Sequence, residues 1–253
     1  MKRLEESNER CIPEKSDSYW YFNHLARYTF AKPMVVSKAV LDARCGEGYG
    51  ASILAEVAQN VTAIDIDEHT IMRAQLKYTS PNLTYAKMDA SSLEFAEASF
   101  DVVCSFEVFE HIDDCHKYLS EIHRVLKTGG LFIVSTPNKD KYPRAGLNPF
   151  HVREFTLDEF RHQLAEVFEE VEIYGQCCKL KARQLYHTPL ARLIYKIRRC
   201  LGIKLRIPTG LRHFAENVFT GHSIQEVKID DFDISRDQVE EAEEFVALCK
   251  RTQ

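Results

Sequence analysis

Side chains that bind divalent metals or move protons are concentrated in two places in the sequence. Glu107, Glu110 and His111 lie within five consecutive residues, and His151 follows further along the chain. If the first stretch is helical, its three polar side chains fall at positions i, i+3 and i+4 and point into the same volume. Mixed carboxylate and imidazole ligands suit magnesium, manganese, iron or zinc, and an open coordination position can acidify a hydroxyl. This spacing predicts a divalent metal site.

A second interpretation of the same residues needs no metal. Glu110 and His111 then line the pocket of a substrate, and His111 acts as the general base that takes a proton from an acceptor hydroxyl. Residue types and spacing do not fix distances, so both interpretations stay open at this point.

A glycine-rich turn joins a short apolar strand to a helix near the start of the chain. The strand ends at Asp42, and the turn runs Ala43-Arg44-Cys45-Gly46-Glu47-Gly48-Tyr49-Gly50. Such a turn lets backbone amides approach a ligand at a helix N-terminus, although a tight turn without any ligand is the simpler alternative. Asp65 ends the next strand, where a carboxylate can accept both hydroxyls of a ribose. The pattern predicts an adenosine-containing ligand and fits NAD as well as S-adenosylmethionine.

Two kinds of hydrophobic periodicity alternate from residue 38 onward and predict βα units. Strands are expected at Ala39–Asp42, Val61–Asp65, Leu83–Ala86, Phe100–Ser105, Leu131–Ser135, Val171–Tyr174 and Ser223–Ile229. Helices are expected near residues 49–58, 68–78, 114–127 and 157–167, with one more at Tyr19–Ala31. The alternation predicts an α/β fold with a mostly parallel, doubly wound, Rossmann-like sheet and helices on both faces. Ligands of such sheets lie at the carboxyl ends of the strands.

Residues that begin and end helices support these bounds. Asp113-Asp114 can cap the helix of residues 114–127, and Gly129-Gly130 follow its basic end. Thr156 and Glu159 form a capping box ahead of the helix of residues 157–167.

The order of these motifs resembles the class I S-adenosylmethionine-dependent methyltransferases, in particular the type 11 family and the ubiquinone-biosynthesis O-methyltransferases. The resemblance runs from about Val40 to Gln176. The segments that carry it are Val40–Gly48, Asp65, Met88-Asp89-Ala90, Phe100–Val103 with Glu110-His111, and Val125–Leu131. It implies an antiparallel last strand and S-adenosyl-L-methionine as the cofactor. The cofactor-binding residues that it implies are Asp42, Arg44, Gly46, Gly48, Asp65, Ile66, Met88, Asp89, Ala90 and Ser105.

The resemblance also bears on the metal question. In the ubiquinone-biosynthesis O-methyltransferases, and in the enzymes that methylate the terminal ribose of small RNAs, a Glu-x-x-Glu-His segment and a later His bind a divalent ion. By this likeness Glu107, Glu110, His111 and His151 are the metal ligands. In the metal-free alternative, Glu110 and His111 are catalytic without an ion.

The expected reaction is in-line transfer of a methyl group to an acceptor hydroxyl. Likeness to bacterial methyltransferases that modify cell-surface sugars favours a glycan or a lipid-linked sugar as the acceptor. A quinol-like or catechol-like small molecule and an RNA ribose are the alternatives within this class. An NAD-dependent oxidoreductase and a non-catalytic cofactor-binding protein are the alternatives outside it.

Arg44 departs from the family pattern, which normally has glycine at this position. An arginine side chain there either crowds the methionine end of the cofactor or pairs with the cofactor carboxylate. We expect the site to tolerate it.

The length of 253 residues and a hydrophobic content of 45% suit one core. We expect a single domain over residues 1–253, with an N-terminal lid helix within residues 1–37 and an insertion at about 177–222 between the sixth and seventh strands. The apolar stretches are too short to cross a bilayer, and Met1–Arg10 is charged where a signal peptide is apolar. These features predict a cytoplasmic protein. The eight cysteines include no CxxC pair, which favours reduced thiols.

The predicted insertion is strongly basic. No Asp or Glu occurs between Ile173 and Ala215, whereas Lys and Arg occur ten times there. An amphipathic basic helix suits peripheral contact with the anionic inner face of a membrane, or with a phosphate-bearing substrate. A substrate lid with solvated charges is the alternative. Nucleic acid is not expected as a partner, because no aromatic stacking pattern accompanies the basic residues.

Overall fold

The computed structural model describes Cys11, Pro13 and residues 18–141, 150–179 and 227–252. Most of the basic insertion predicted at 177–222 lies outside the described residues, as do most of the N-terminal residues before Ser18. No helix in the described ranges has the length and apolar character that a membrane span requires. The seven cysteines in these ranges are all free thiols.

In the part of the chain that the structure describes, eight strands form one sheet in the order β3-β2-β1-β4-β5-β8-β6-β7. Strands β1 to β5 pair in parallel, whereas β8 runs antiparallel between β5 and β6, and β7 runs antiparallel to β6. The strands are β1 Ala39–Ala43, β2 Asn60–Asp65, β3 Leu83–Lys87, β4 Phe100–Phe106, β5 Leu126–Pro137, β6 Glu170–Cys178, β7 Phe232–Ser235 and β8 Glu244–Lys250. The predicted Rossmann-like sheet with an antiparallel last strand is therefore confirmed.

Within the described residues, five α-helices cover the two faces of the sheet. They are α1 Ser18–Ala31, α2 Tyr49–Ala55, α3 Glu68–Lys77, α4 Cys115–Val125 and α5 Leu157–Ala165. Alternate residues of the central strands enter different clusters: Leu41 and Val103 pack with α4 and α5, whereas Val40 and Val102 pack with the helices α1 to α3. Burial on both faces explains why these strands are almost wholly apolar.

The strand order reverses between β1 and β4, because β2 and β3 lie on one side of β1 while β4 and β5 lie on the other. Chains that leave the carboxyl ends of β1 and β4 therefore separate and open a crevice at that edge. Such a switch point is where doubly wound sheets bind ligands. The glycine-rich turn after β1 and the Glu107–His111 stretch after β4 both begin there.

The predicted caps of α4 and α5 are confirmed. The Asp114 carboxylate accepts a hydrogen bond of 2.9 Å from the Lys117 amide. Thr156 and Glu159 form both bonds of the capping box at the start of α5. These bonds satisfy amides that the first turn of a helix leaves without partners.

The predicted start of β5 was wrong. The helix stops at Val125, and β5 begins at Leu126 rather than at Leu131. Gly129 and Gly130 lie within the strand, where their backbone groups bond to Arg251, and Gly129 has a left-handed φ of 77°. Pairing of Leu126 with Phe100 in β4, together with the bonds to Arg251, therefore extends β5 back into residues that were expected in the helix and the turn after it.

The predicted strand at Ser223–Ile229 was also wrong where the structure describes it. Residues 227–229 lead into a 3-10 helix at Ile229–Asp231, and the two antiparallel strands β7 and β8 come later. The acidic run before β8 is typical of a solvated loop. Two of its members, Glu243 and Glu244, are instead buried against α1, so the strand begins inside the protein.

Replacing Gly50 with alanine tests the packing of α1 on the turn after β1. The added Cβ would lie 2.0 Å from the Tyr28 ring, so the ring must move. We expect the free energy of unfolding in urea to fall by about 1–3 kcal/mol. In a Tyr28→Ala background the same change should be neutral or stabilising, because alanine favours a helix over glycine by about 1 kcal/mol. An equal loss in both backgrounds would rule out the Tyr28 ring as the cause.

Candidate active site

The turn after β1 is held in place by the acid at the end of β2. The Gly46 amide donates a hydrogen bond of 3.2 Å to Asp65 Oδ2, and the Asp67 amide donates one of 2.9 Å to Asp65 Oδ1. Gly46 and Gly48 adopt left-handed φ values of 55° and 83°, which glycine tolerates without steric cost. A buried carboxylate thus stands directly beside the glycine-rich turn.

Asp42 lies under helix α1 at the carboxyl end of β1. The Tyr28 hydroxyl donates to its carboxylate at 3.3 Å, and burial raises the pKa of Asp42 to about 7. The Tyr28 ring lies against Gly50 and edge-on to Phe106. Helix α1 therefore closes over the turn on the side that faces β4.

The residues after β3 border the same crevice on its other side. The Met88 amide donates to the Asp65 carbonyl at 3.0 Å, and the Asp89 carboxylate accepts from the Ser91 amide at 2.9 Å. Ala90 is buried, whereas the apolar side chain of Ile66 is 44% exposed beside this turn. An exposed apolar surface flanked by a carboxylate suits the face and edge of a nucleobase. Ser105, in β4, is fully buried, and its hydroxyl accepts a hydrogen bond of 2.7 Å from the Tyr118 hydroxyl.

Three of the four predicted metal ligands meet at the end of β4. Glu110, His111 and His151 each offer an atom within 4.8 Å of the others, and the two imidazole rings lie 5.0 Å apart. His111 Nδ1 lies 3.0 Å from the Phe150 carbonyl, and His151 Nδ1 lies 3.0 Å from a Glu154 carboxylate oxygen. These acceptors favour a proton on each Nδ1, which leaves each Nε2 with the lone pair that a metal needs.

Glu107 does not belong to that group. Its backbone φ is 55°, and the following 3-10 turn covers only Phe109–His111, so the expected helical face over residues 107–111 does not form. The Ser135 hydroxyl donates to Glu107 Oε1 at 2.9 Å, and Arg27 Nη1 lies 3.7 Å from the same oxygen. The left-handed residue turns the Glu107 side chain toward β5 and α1.

Arg27 is a site residue that the sequence analysis missed. It is fully buried, and its Nη1 donates to Glu244 and, at 3.2 Å, to Gln176 Oε1. Its Nε and Nη2 have no hydrogen-bond partner in the part of the chain that the structure describes. Asn23 and Arg27 are spaced one helical turn apart in a helix otherwise rich in aromatic residues, and that polar pair is the signal that could have identified them.

Burial makes this edge of the sheet able to hold protons near neutral pH. Desolvation raises the pKa of Glu107, Glu110 and Glu244 to about 7 each, although the charge of Arg27 acts in the opposite direction on all three. Three acids of this kind around one guanidinium provide proton acceptors beside the crevice. The arrangement can bind a nucleoside at β2 and β3 and remove a proton from a ligand at β4 and β5.

Known proteins are similar to this one in sequence and in fold. The family model described as a methyltransferase domain matches residues 41–134. A protein of Mycolicibacterium smegmatis named as a probable S-adenosylmethionine-dependent methyltransferase is 37% identical over 170 residues, which cover 66% of this chain and 65% of the relative. A protein of Mycobacterium tuberculosis with the same description is 35% identical over 191 residues, covering 74% and 66%. The chain thus spans slightly less than two thirds of these relatives.

Two further comparisons extend the picture. A ubiquinone biosynthesis O-methyltransferase of Albidiferax ferrireducens is 28% identical over 170 residues, covering 62% of this chain and 67% of that protein. A solved S-adenosylmethionine-dependent methyltransferase of Thermotoga maritima superposes with a TM-score of 0.61 at 16% identity, covering 92% and 93% of the two chains, which shows a common fold. Together with the crevice at the switch point, these matches place the chain in the class I S-adenosylmethionine-dependent methyltransferases.

The raised pKa of Glu110 predicts how the stability of the metal-free protein depends on pH. In the folded protein the Glu110 carboxyl group keeps its proton up to about pH 7, whereas the ordinary pKa of a glutamate is 4.5. Its contribution to the free energy of unfolding is therefore fully present below pH 4.5 and is lost as the pH rises through 7. The free energy of unfolding in urea, measured with chelator present, should be higher at about pH 5 than at about pH 8. Glu110→Gln should reduce this difference by on the order of 1–3 kcal/mol.

Asp101→Asn is the matched control for this measurement. Burial tends to raise the pKa of Asp101, but its bonds to the Ala39 amide and to Lys127 outweigh burial and hold the pKa below its ordinary value. The group stays ionised throughout the tested range, so its loss should lower stability equally at both pH values. A pH dependence that survives unchanged in Glu110→Gln would contradict the role given to Glu110.

Proposed function

We propose that the protein transfers the methyl group of S-adenosyl-L-methionine to a hydroxyl of an acceptor bound beside the ends of β4 and β5. The observation that carries the proposal is the convergence of Glu110, His111 and His151 at that place, within 4.8 Å of one another. Carboxylate and imidazole groups there can take the proton that a hydroxyl must lose. The cofactor supplies an electrophilic methyl group on its sulfonium.

The residues around the crevice fit this cofactor. Asp65 would accept the ribose hydroxyls, while Ile66, Met88 and Asp89 would border the adenine. The buried Nε and Nη2 of Arg27 form the side of the guanidinium that matches a carboxylate with two parallel hydrogen bonds, which suits the α-carboxylate of the methionine moiety. Asp42 and the amides of the turn after β1 would face the remainder of that moiety.

The chain's own groups then contribute to the reaction in three ways. Helix α1 and the Tyr28 ring exclude water from the crevice, so that charges inside it interact strongly. Rigid strand ends hold acceptor and cofactor in line, and this positioning alone can supply most of the rate. His111, or a carboxylate beside it, accepts the proton from the acceptor hydroxyl.

A divalent ion would fit the same three residues. Two imidazoles and one carboxylate form a ligand set that binds divalent transition metals with open positions. The Phe150 carbonyl and Glu154 would orient the two imidazoles from behind. Such an ion would acidify the acceptor hydroxyl. Glu107 would stay outside the ligand set, since Ser135 and Arg27 hold its carboxylate.

The acceptor that we propose is a glycan or a lipid-linked sugar. The ten basic residues between Ile173 and Ala215 support a phosphate-bearing acceptor, and the same residues would give a cytoplasmic protein peripheral contact with an anionic membrane. The similarity to a ubiquinone biosynthesis O-methyltransferase favours a quinol-like molecule as the second candidate.

Arg27→Lys tests the binding of the cofactor's carboxylate. Lysine keeps the charge and removes the two parallel donors, so the affinity for S-adenosylhomocysteine should fall roughly 10- to 100-fold, as expected for charged hydrogen bonds. The affinity for methylthioadenosine, which lacks the amino-acid moiety, should not change. Asp65→Ala, by contrast, should weaken both ligands. Both variants are titrated calorimetrically with both ligands. An equal loss of affinity for S-adenosylhomocysteine and methylthioadenosine in Arg27→Lys would contradict the assignment of Arg27 to the cofactor's carboxylate.

The metal site is tested by adding manganese to chelator-treated protein. Electron paramagnetic resonance should detect bound manganese in the wild type and at least about tenfold weaker binding in His151→Ala. Glu107→Gln should bind as the wild type does, because its side chain lies outside the group. An equal loss of manganese affinity in both variants would show that Glu107 is a ligand together with Glu110, His111 and His151. No manganese binding by the wild type would leave His111 as a metal-free base.

A further inference from the structure

Arg44 occupies a backbone conformation that its side chain does not favour. It follows β1 directly and has a left-handed φ of 67°, as Gly46 and Gly48 do in the same turn. For any residue with a Cβ this conformation costs energy that glycine avoids. Strain of this kind is concentrated at functional sites, where a particular side chain is needed. The turn therefore carries an arginine that its own geometry disfavours.

The guanidinium of Arg44 does not hold the fold together. The side chain is half-buried, and within the described ranges it makes neither a hydrogen bond nor an ion pair. Arg73, which packs against the same turn, bonds to Glu47 at 2.7 Å. Arg27 is held by Glu244. A partly desolvated cation without a protein partner is a ready binding group for an anion.

Arg44 lies on the side of the crevice formed by the ends of β4 and β5, where the proposed acceptor would bind. The β1–β4 register pairs Asp42 with Cys104, so Arg44, the first residue after β1, lies at the edge of the sheet where β4 also ends. The charge of Arg44 acts on Glu110 and on Tyr118, where it opposes the rise in pKa that burial causes. Both of these residues lie beyond β4, on the side of β1 opposite to β2 and β3.

We propose that Arg44 binds an anionic group of the methyl acceptor, a carboxylate or a phosphate, and so selects acceptors that carry such a group close to the reacting hydroxyl. The inference rests on the proposed methyl transfer. Arg27 would take the cofactor's carboxylate, and Arg44 the acceptor's anion. The planar guanidinium matches either oxyanion with two parallel hydrogen bonds, so the chemistry is common to both sources.

The test uses protein saturated with S-adenosylhomocysteine and two probes, inorganic phosphate and benzoate. Calorimetry should show saturable binding of at least one probe to the wild type, and the probe that binds identifies the kind of anion. Arg44→Gly and Arg44→Gln should each weaken that binding at least about tenfold, the value of one charged bidentate contact. Arg236→Gln removes an exposed cation that follows β7 and bonds to Glu172 in β6, and this variant should bind as the wild type does.

Arg44→Gly also relieves the left-handed backbone, so its stability in urea should not be lower than that of the wild type. Its affinity for S-adenosylhomocysteine should stay unchanged. Loss of that affinity with retention of methylthioadenosine binding would assign Arg44 to the cofactor and overturn the proposal. Unchanged anion binding in both variants, or no anion binding by a wild type that binds S-adenosylhomocysteine, would also overturn it. Failure of the wild type to bind S-adenosylhomocysteine would instead contradict the proposed function.

Discussion

One fully buried guanidinium joins helix α1 to the edge of the sheet where the chemistry is placed. Arg27 reaches Glu244 at the start of β8, Gln176 near the end of β6 and Glu107 after β4. Tyr19 and Asn23, which lie two turns and one turn earlier in the helix, bond to Glu243 and Glu244 respectively. Buried charges cost desolvation unless each has its partner, so these groups specify one position of α1 more than they stabilise the protein.

That position has consequences on both sides of the switch point. Toward β1, α1 carries Tyr28 over Asp42 and Gly50 and covers the glycine-rich turn. Toward β4, Arg27 and Ser135 hold Glu107 away from the group of Glu110, His111 and His151. The glycine-rich turn after β1 and the Glu110, His111 and His151 group therefore depend on the same helix. Substitutions that displace α1 should disturb both halves together.

Hydrophobic periodicity and turn residues predicted the elements whose formation depends mainly on neighbouring residues. Alternation of strand and helix periodicity identified β1 to β4 and the helices α1 to α3 within a few residues, and turn chemistry identified Asp65 and the glycines beside it. The start of β5 was misplaced because Leu126 pairs with Phe100 in β4, while Gly129 and Gly130 bond to Arg251, far along the chain. Long-range pairing of this kind leaves no periodic trace in the residues concerned.

The acceptor side of the site was harder to foresee for the same reason. Arg27 and Glu244 are 217 positions apart in the sequence, and only the folded sheet brings them together. The separation of Glu107 from Glu110 and His111 depends on one left-handed backbone angle, which the spacing of polar residues does not encode. The fold and the glycine-rich turn beside Asp65 were thus readable from the sequence. The structure was required to show that Glu107 pairs with Arg27, whereas Glu110 lies with His111 and His151.

The most direct test of this account is calorimetric titration of the wild-type protein with S-adenosylhomocysteine and, separately, with NADH. A glycine turn tied to Asp65 admits either nucleoside, but the fork of Arg27 matches an amino-acid carboxylate that NADH lacks. We predict saturable one-to-one binding of S-adenosylhomocysteine and no detectable binding of NADH. Binding of NADH alone, or no binding of S-adenosylhomocysteine at millimolar concentration, would contradict the account.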